Sequence, residues 1–145
     1  MGEFAGKYGP WAVVTGAAQG VGLAFAEALV GRGLSVVMVD LSPKVVDAAA
    51  ALGDESVAKP LIADLADPAW IEALEAATTG MEVGLAVANA GVAFVGRYLD
   101  MDPARRRAIL DVNCVATADL ATWALPAMVE QGRGGFVATS SGSAL

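Results

Sequence analysis

Five short apolar runs, separated by longer Ala- and Leu-rich segments, constrain this chain more than any other feature. The runs fall at 11–15, 35–40, 57–63, 83–89 and 135–140, and they are nearly continuous in apolar residues instead of alternating with polar ones. Continuous runs of that length fit strands covered by helices on both faces. Between them, 20–32, 43–52, 67–78 and 103–130 have helical spacing. Ser42-Pro43, Asp67-Pro68 and Asp102-Pro103 each place a capping side chain before a proline at the first helical position. Gly33 and Gly53 follow the first two helices as stops. Strands alternating with helices make βαβ units, whose crossovers are right-handed, and the sheet is therefore parallel. A doubly wound α/β sheet in the order 3-2-1-4-5 is the expected topology, with 1–145 forming one domain.

Composition removes several function classes. The 145 residues are 56% hydrophobic and 17% charged, which is enough apolar material for a core and excludes a disordered chain. Nine Lys and Arg against sixteen Asp and Glu leave a net charge of −7, a poor match for nucleic-acid phosphates or anionic membranes. There is no His and one Cys, so imidazole catalysis, disulfides and the common zinc sites are excluded and no metal is expected. Gln19, Glu27, Arg32 and Asp40 break up the apolar stretches of the first forty residues, and residues 1–10 lack the apolar segment of a signal peptide. No membrane association and a cytoplasmic location are the expectations. Arg105, Arg106 and Arg107 read as a solvated helix face, Cys114 as a core residue with no cation or His to activate it, and Trp70 and Trp123 as packing residues.

Thr15-Gly16-Ala17-Ala18-Gln19-Gly20-Val21-Gly22 joins the first strand to the first helix. Glycines spaced in this way could form an ordinary turn. Between a strand and a helix they also let the backbone approach a pyrophosphate, whose charge then meets the amides of the helix N-terminus. A Rossmann-like nucleotide site is expected here. Asp40 ends the second strand, where a carboxylate accepts hydrogen bonds from an adenosine ribose and repels a 2′-phosphate. No Arg or Lys stands at 17–19 or 41–42 to offset that repulsion, which points to NAD(H) as the cofactor; a surface turn is the alternative reading of Asp40.

Together with residues downstream, this loop resembles that of the classical short-chain dehydrogenase/reductase family. The resemblance rests on the loop with its preceding Thr15, Asp64-Leu65 after the third strand, Ala88-Asn89-Ala90-Gly91 at the fourth, Asn113 in the long helix, and Ser140-Ser141 at the fifth. It implies that Thr15, Gly16, Gln19, Gly20, Val21 and Gly22 surround the cofactor phosphates, and that Asp40 and Leu41 meet the ribose. Asp64 and Leu65 would meet the adenine, and Asn89, Ala90 and Gly91 the nicotinamide side. Ser141 would be the catalytic serine that binds the substrate oxygen, and Asn113 would hold a water in the proton relay. The implied activity is NAD(H)-dependent hydride transfer between an alcohol and a ketone. One departure is small: Ala88 stands where a second Asn is common.

The larger departure is the general acid/base Tyr with a Lys four residues later. The two tyrosines, Tyr8 and Tyr98, have Ala12 and Asp102 at that distance, and both precede Ser141. The expectation is a chain truncated after the fifth strand, incomplete at its C-terminus and inactive alone. A non-catalytic nucleotide-binding module is the alternative. Between Val112 and Val129 only Asn113, Thr117, Asp119, Thr122 and Pro126 interrupt an apolar helix, so a homo-oligomer built on the 103–130 helix is expected, with some of Val115, Leu120, Trp123 and Val129 exposed.

Overall fold

A computed structural model describes residues 2–141. Five parallel strands, β1 (Trp11–Thr15), β2 (Ser35–Asp40), β3 (Ala58–Ile62), β4 (Val83–Ala88) and β5 (Gly135–Ala138), form one sheet in the order β3-β2-β1-β4-β5. The topology is the expected one. Helices α2 (Gly20–Val30), α3 (Lys44–Leu52) and α4 (Trp70–Ala77) make the first three crossovers. A long helix makes the fourth, as α5 (Pro103–Leu110), one π-helical turn (Asp111–Val115) and α6 (Ala116–Gln131).

The near-continuous apolar strands are explained by burial on both faces. Successive side chains of a strand point to opposite sides. Ala12, Val14, Val36, Met38, Leu85 and Val87 pack with Ala26 and Leu29 of α2 and with Val45 and Ala49 of α3. Their neighbours Val13, Val37, Val39, Ala86 and Ala88 pack with Trp70 and Leu74 of α4 and with Ala116, Leu120, Ala124 and Met128 of α6. These side chains are almost completely removed from water, each large one contributing about 1.5–3 kcal/mol of transfer free energy.

The three proline-linked helix starts behave differently. Asp102 caps α5 as expected, its Oδ1 accepting from Ala104 N at 2.7 Å and Arg105 N at 3.4 Å, with Pro103 in the first turn. Ser42 Oγ accepts from Lys44 N at 3.3 Å and Asp67 Oδ1 from Ala69 N at 3.0 Å. The α-helices, however, begin only at Lys44 and Trp70. The reason is a tight entry: Val45 N donates to Ser42 O and Trp70 N to Asp67 O, bonds of i,i+3 type that close a 3₁₀-like turn first. A short helix α1 (Glu3–Tyr8), not anticipated from the sequence, buries Ala5 beside β4. Arg133 fastens it from the start of β5, donating to Gly9 O at 2.7 Å and pairing with Glu82.

Of the expectations for the long helix, the exposure of some of Val115, Leu120, Trp123 and Val129 holds for Val115 and Val129, while the core placement of Cys114 is corrected. Leu120 is fully buried, because it shares a face with Ala116, Ala124 and Met128 against the sheet. Outward-facing apolar residues are Leu110, Val115, Leu125 and Val129, while Trp123 is half-buried. Cys114 is exposed, not core, because it stands two residues from both Val112 and Ala116, which pack toward the sheet, and so lies on the opposite side of the helix. Among the described residues, Pro103–Gln131 is the one helix long and apolar enough to cross a membrane; here its Ala116–Met128 face lies on the sheet.

Candidate functional site

The strand order reverses beside β1, whose neighbours β2 and β4 lead to crossovers on opposite faces. At such a point the loops beyond the strand ends diverge and leave a crevice. A cleft of about 360 Å³ opens there. Gly16, Gln19, Gly20, Asp40, Leu41, Asp64, Leu65, Asn89, Ala90 and Gly91, all singled out in the sequence, line it, together with Val92 and Val112.

The floor of the cleft is a cross-tie between the ends of β1 and β4. Thr15, 2% exposed, accepts through Oγ1 from Asn89 N at 3.0 Å and Ala90 N at 3.1 Å, and donates to Val87 O at 3.4 Å. The Asn89 side-chain amide returns the tie, donating to Thr15 O at 3.1 Å and Gly16 O at 3.4 Å. Backbone groups that run past the last sheet pairing are thus satisfied by two side chains, as buried polar groups require. The close approach demands glycine. A Cβ on Gly16 would lie 2.8 Å from Ala90 Cα, and one on Gly22 would collide with Gly16 O and come within 2.6 Å of Asn89 Nδ2.

Above this floor the first turn of α2 faces the cleft. Its N-cap residue Gln19 makes no side-chain capping bond, and Gly20 has φ +59° with open space where a Cβ would stand. Uncapped amides at the N-terminus of an 11-residue helix, bordered by a residue without a side chain, suit a phosphate group. Asp40 lies at the other side. Its Oδ2 accepts from Ala18 N at 2.9 Å and its Oδ1 from Ser42 N at 2.8 Å. Each carboxylate oxygen has a second lone-pair site, so the ribose role implied by the resemblance remains open alongside these bonds. Among the described residues, no Lys or Arg lines the cleft. Asp64 is exposed and folds its own turn, accepting from Ala66 N at 2.9 Å, while Leu65 is buried beneath. The donor set and the open glycine corner fit a dinucleotide.

Five of the residues expected at the site stand apart from the cleft lining. Thr15 lies buried behind it and Gly22 beneath the loop, whereas Val21 is 59% exposed. Asn113 stands one layer back in the π turn, accepting from Val92 N and donating to Val92 O, both at 2.8 Å. It thereby fixes a residue that does line the cleft. Ser141 is exposed just past β5. Sequence reasoning missed Val92 and Val112, whose apolar side chains carry no chemical signal. It also missed Thr139, which donates to Asn89 Oδ1 at 3.3 Å and to Ala88 O through its amide at 2.9 Å.

The family model for short chain dehydrogenases matches residues 10–145. The chain belongs to the short chain dehydrogenase family. It is 28% identical to the human very-long-chain 3-oxoacyl-CoA reductase, over 94% of this chain and 46% of that protein. It is 32% identical to oxidoreductase UcpA of Escherichia coli K12, over 97% of this chain and 54% of that protein. A short-chain dehydrogenase from Sphingobium yanoikuyae, solved in complex with NADPH, superimposes with a TM-score of 0.83 at 31% identity, covering 92% of this chain and 54% of that one. The chain spans about half the length of these relatives. As a short chain dehydrogenase it has that oxidoreductase family's fold, and the glycine loop, Asn89–Gly91 and Asp64 meet at its cleft.

Proposed function

We propose that this chain binds NAD(H) in preference to NADP(H) and forms the cofactor-binding part of an oxidoreductase that interconverts alcohols and ketones. The observation that carries this reading is the cleft itself: uncapped helix amides at one end, Asp40 at the other, and no cation along the lining among the described residues. Bound there, the dinucleotide would supply hydride transfer at its nicotinamide ring. The chain's own residues supply position: α2 amides for the phosphates, Asp40 for the ribose, Leu65 and Val92 as apolar walls. A 2′-phosphate would meet the Asp40 carboxylate with no positive charge to neutralise it.

Ser141 and Asn113 are the candidates for the substrate side and the proton relay. Within the 145 residues neither tyrosine is followed by a lysine four positions on, so a positioned base is missing, and such a group is typically worth 10²- to 10⁴-fold in rate. The chain by itself is therefore expected to bind without turnover. Calorimetry with NAD⁺ and NADP⁺ tests the cofactor assignment: tighter NAD⁺ binding supports it, and equal affinities or no binding refute it. Turnover of a secondary alcohol by this chain, abolished in Ser141→Ala, would refute the assignment of inactivity. Self-association through the long helix is part of the same proposal, because Val115, Leu125 and Val129 are exposed along it. A stable monomer in sedimentation at tens of micromolar would refute that part.

A further inference from the structure

We propose that Asp40 is a positioning residue for the glycine loop: its carboxylate holds the loop in its ligand-receiving shape before any ligand arrives. The inference rests on the reading of the cleft as a dinucleotide site, and it assigns Asp40 a second task besides meeting a ribose. The loop has few other anchors on this side. Gln19 makes no capping bond, Gly20 places no side chain, and beyond Gly16 the segment is tied to β2 at two points. One is Ala17 N to Val39 O at 3.2 Å; the other is Ala18 N to Asp40 Oδ2 at 2.9 Å. Ala17 and Ala18 are buried, so an Ala18 amide deprived of its acceptor has little access to water in compensation. The second oxygen of the same carboxylate accepts from Ser42 N at 2.8 Å and fixes the turn that presents Leu41 to the cleft. One side chain thus locks both walls of the adenosine end together.

A glycine-containing loop has more conformational freedom to lose on binding than other backbone, and ordering it in advance raises affinity for whatever the loop receives. The consequence separates this role from ribose recognition. If Asp40 acted through the cofactor alone, its removal would weaken NAD⁺ binding, relieve the repulsion of a 2′-phosphate and strengthen NADP⁺ binding. With the lock, removal unfastens the loop for both nucleotides, and NADP⁺ gains little.

The test uses the 145-residue chain, with amide hydrogen exchange by NMR in the absence of ligand and calorimetry with NAD⁺ and NADP⁺. In the wild type the Ala18 and Ser42 amides are expected to be protected relative to those of Gln19 and Gly20. In Asp40→Ala both should exchange at least about tenfold faster, the size expected for losing a hydrogen bond to a charged group. NAD⁺ affinity should fall by a similar factor with no gain for NADP⁺. Asp40→Asn keeps one acceptor oxygen and removes the charge. It should leave one of the two amides protected and bind NADP⁺ more tightly than Asp40→Ala does. Unprotected Ala18 and Ser42 amides in the wild type would overturn the proposal, a result that stands even where a variant fails to fold. So would unchanged exchange in Asp40→Ala, or an equal rise in NADP⁺ affinity in both variants. Protected amides in a chain that binds neither nucleotide would instead overturn the reading of the cleft and leave the lock standing.

Discussion

Gly22→Ala tests the geometry on which the whole cleft depends. The added methyl would overlap Gly16 O and lie 2.6 Å from Asn89 Nδ2, so Asn89 must move by about an ångström and release its bonds to Thr15 O and Gly16 O. Two neutral hydrogen bonds cost about 1 kcal/mol each, and an extra methyl forced into packed surroundings adds roughly 1–3 kcal/mol. Replacing a helical glycine by alanine returns about 0.5–1 kcal/mol. The net loss is ~2–4 kcal/mol, a fall in Tm of roughly 5–15 °C for a chain of this size. Gly20→Ala is the control, since open space surrounds its Cβ position and only its φ of +59° is unfavourable, which costs about 1–2 kcal/mol. Urea titrations followed by fluorescence and circular dichroism, with unchanged m-values, measure both. A Gly22→Ala chain no less stable than Gly20→Ala would refute the cross-tie between the glycine loop and Asn89.

Thr15→Val keeps the shape but leaves the Asn89 and Ala90 amides without their acceptor; a loss of about 1–3 kcal/mol in the urea midpoint analysis is expected. Asp102→Ala removes the cap of α5, with an expected loss of about 1 kcal/mol, visible as earlier thermal fraying of helical circular dichroism. The Asp54 carboxyl is held below its ordinary value by the Ser56 hydroxyl, and further by the Ser56 amide. A carboxylate depressed in the folded state stabilises above its unfolded pKa and loses that stabilisation as pH falls through the folded one. Asp54→Asn should therefore flatten the acid side of the stability profile in a urea midpoint series at descending pH.

The sheet order was legible because both of its determinants are local. Strands buried on two faces must be apolar throughout, and the alternation of strand with helix leaves few parallel topologies. Asp102-Pro103 could be read for the same reason, since a cap needs only its own two or three neighbours. The π turn at Asp111–Val115 could not, because no periodicity within the helix records it, and Asn113 within it bonds Val92, twenty-one residues away in sequence. Cys114 was misplaced because a helix apolar nearly all round gives no sign that its side, two residues from the sheet-facing Val112 and Ala116, would be left to solvent. Which of Val115, Leu120, Trp123 and Val129 would be exposed could not be read, because a helix apolar all round its circumference gives no signal of which side the sheet will take. At the site, the glycines and Asp40 were legible as residue types, but the double acceptance by Asp40 from Ala18 and Ser42 depends on how two loops meet.

The residues around the cleft divide into two groups by what they carry. Thr15, Gly16 and Asn89 close the hydrogen bonds between β1 and β4, Gly22 leaves room for them, and Asp40 closes those between two loops, so substitution at any of them disturbs the fold and the cleft together. A loss of nucleotide binding in those variants says little about contact with the ligand. Gln19, Leu41 and Gly91 are exposed cleft residues whose side chains make none of the hydrogen bonds described above. Leu41 in particular is 64% exposed, so its contribution to stability is small and its burial by a bound adenosine would be nearly all gain. Leu41→Asn should therefore weaken nucleotide binding with a stability change within about 0.5 kcal/mol, the range of ordinary surface substitutions. Parallel calorimetry and urea titration separate the two effects. A variant that loses stability in step with affinity would show that Leu41, too, belongs to the structural group, and that the cleft has no wall independent of the fold.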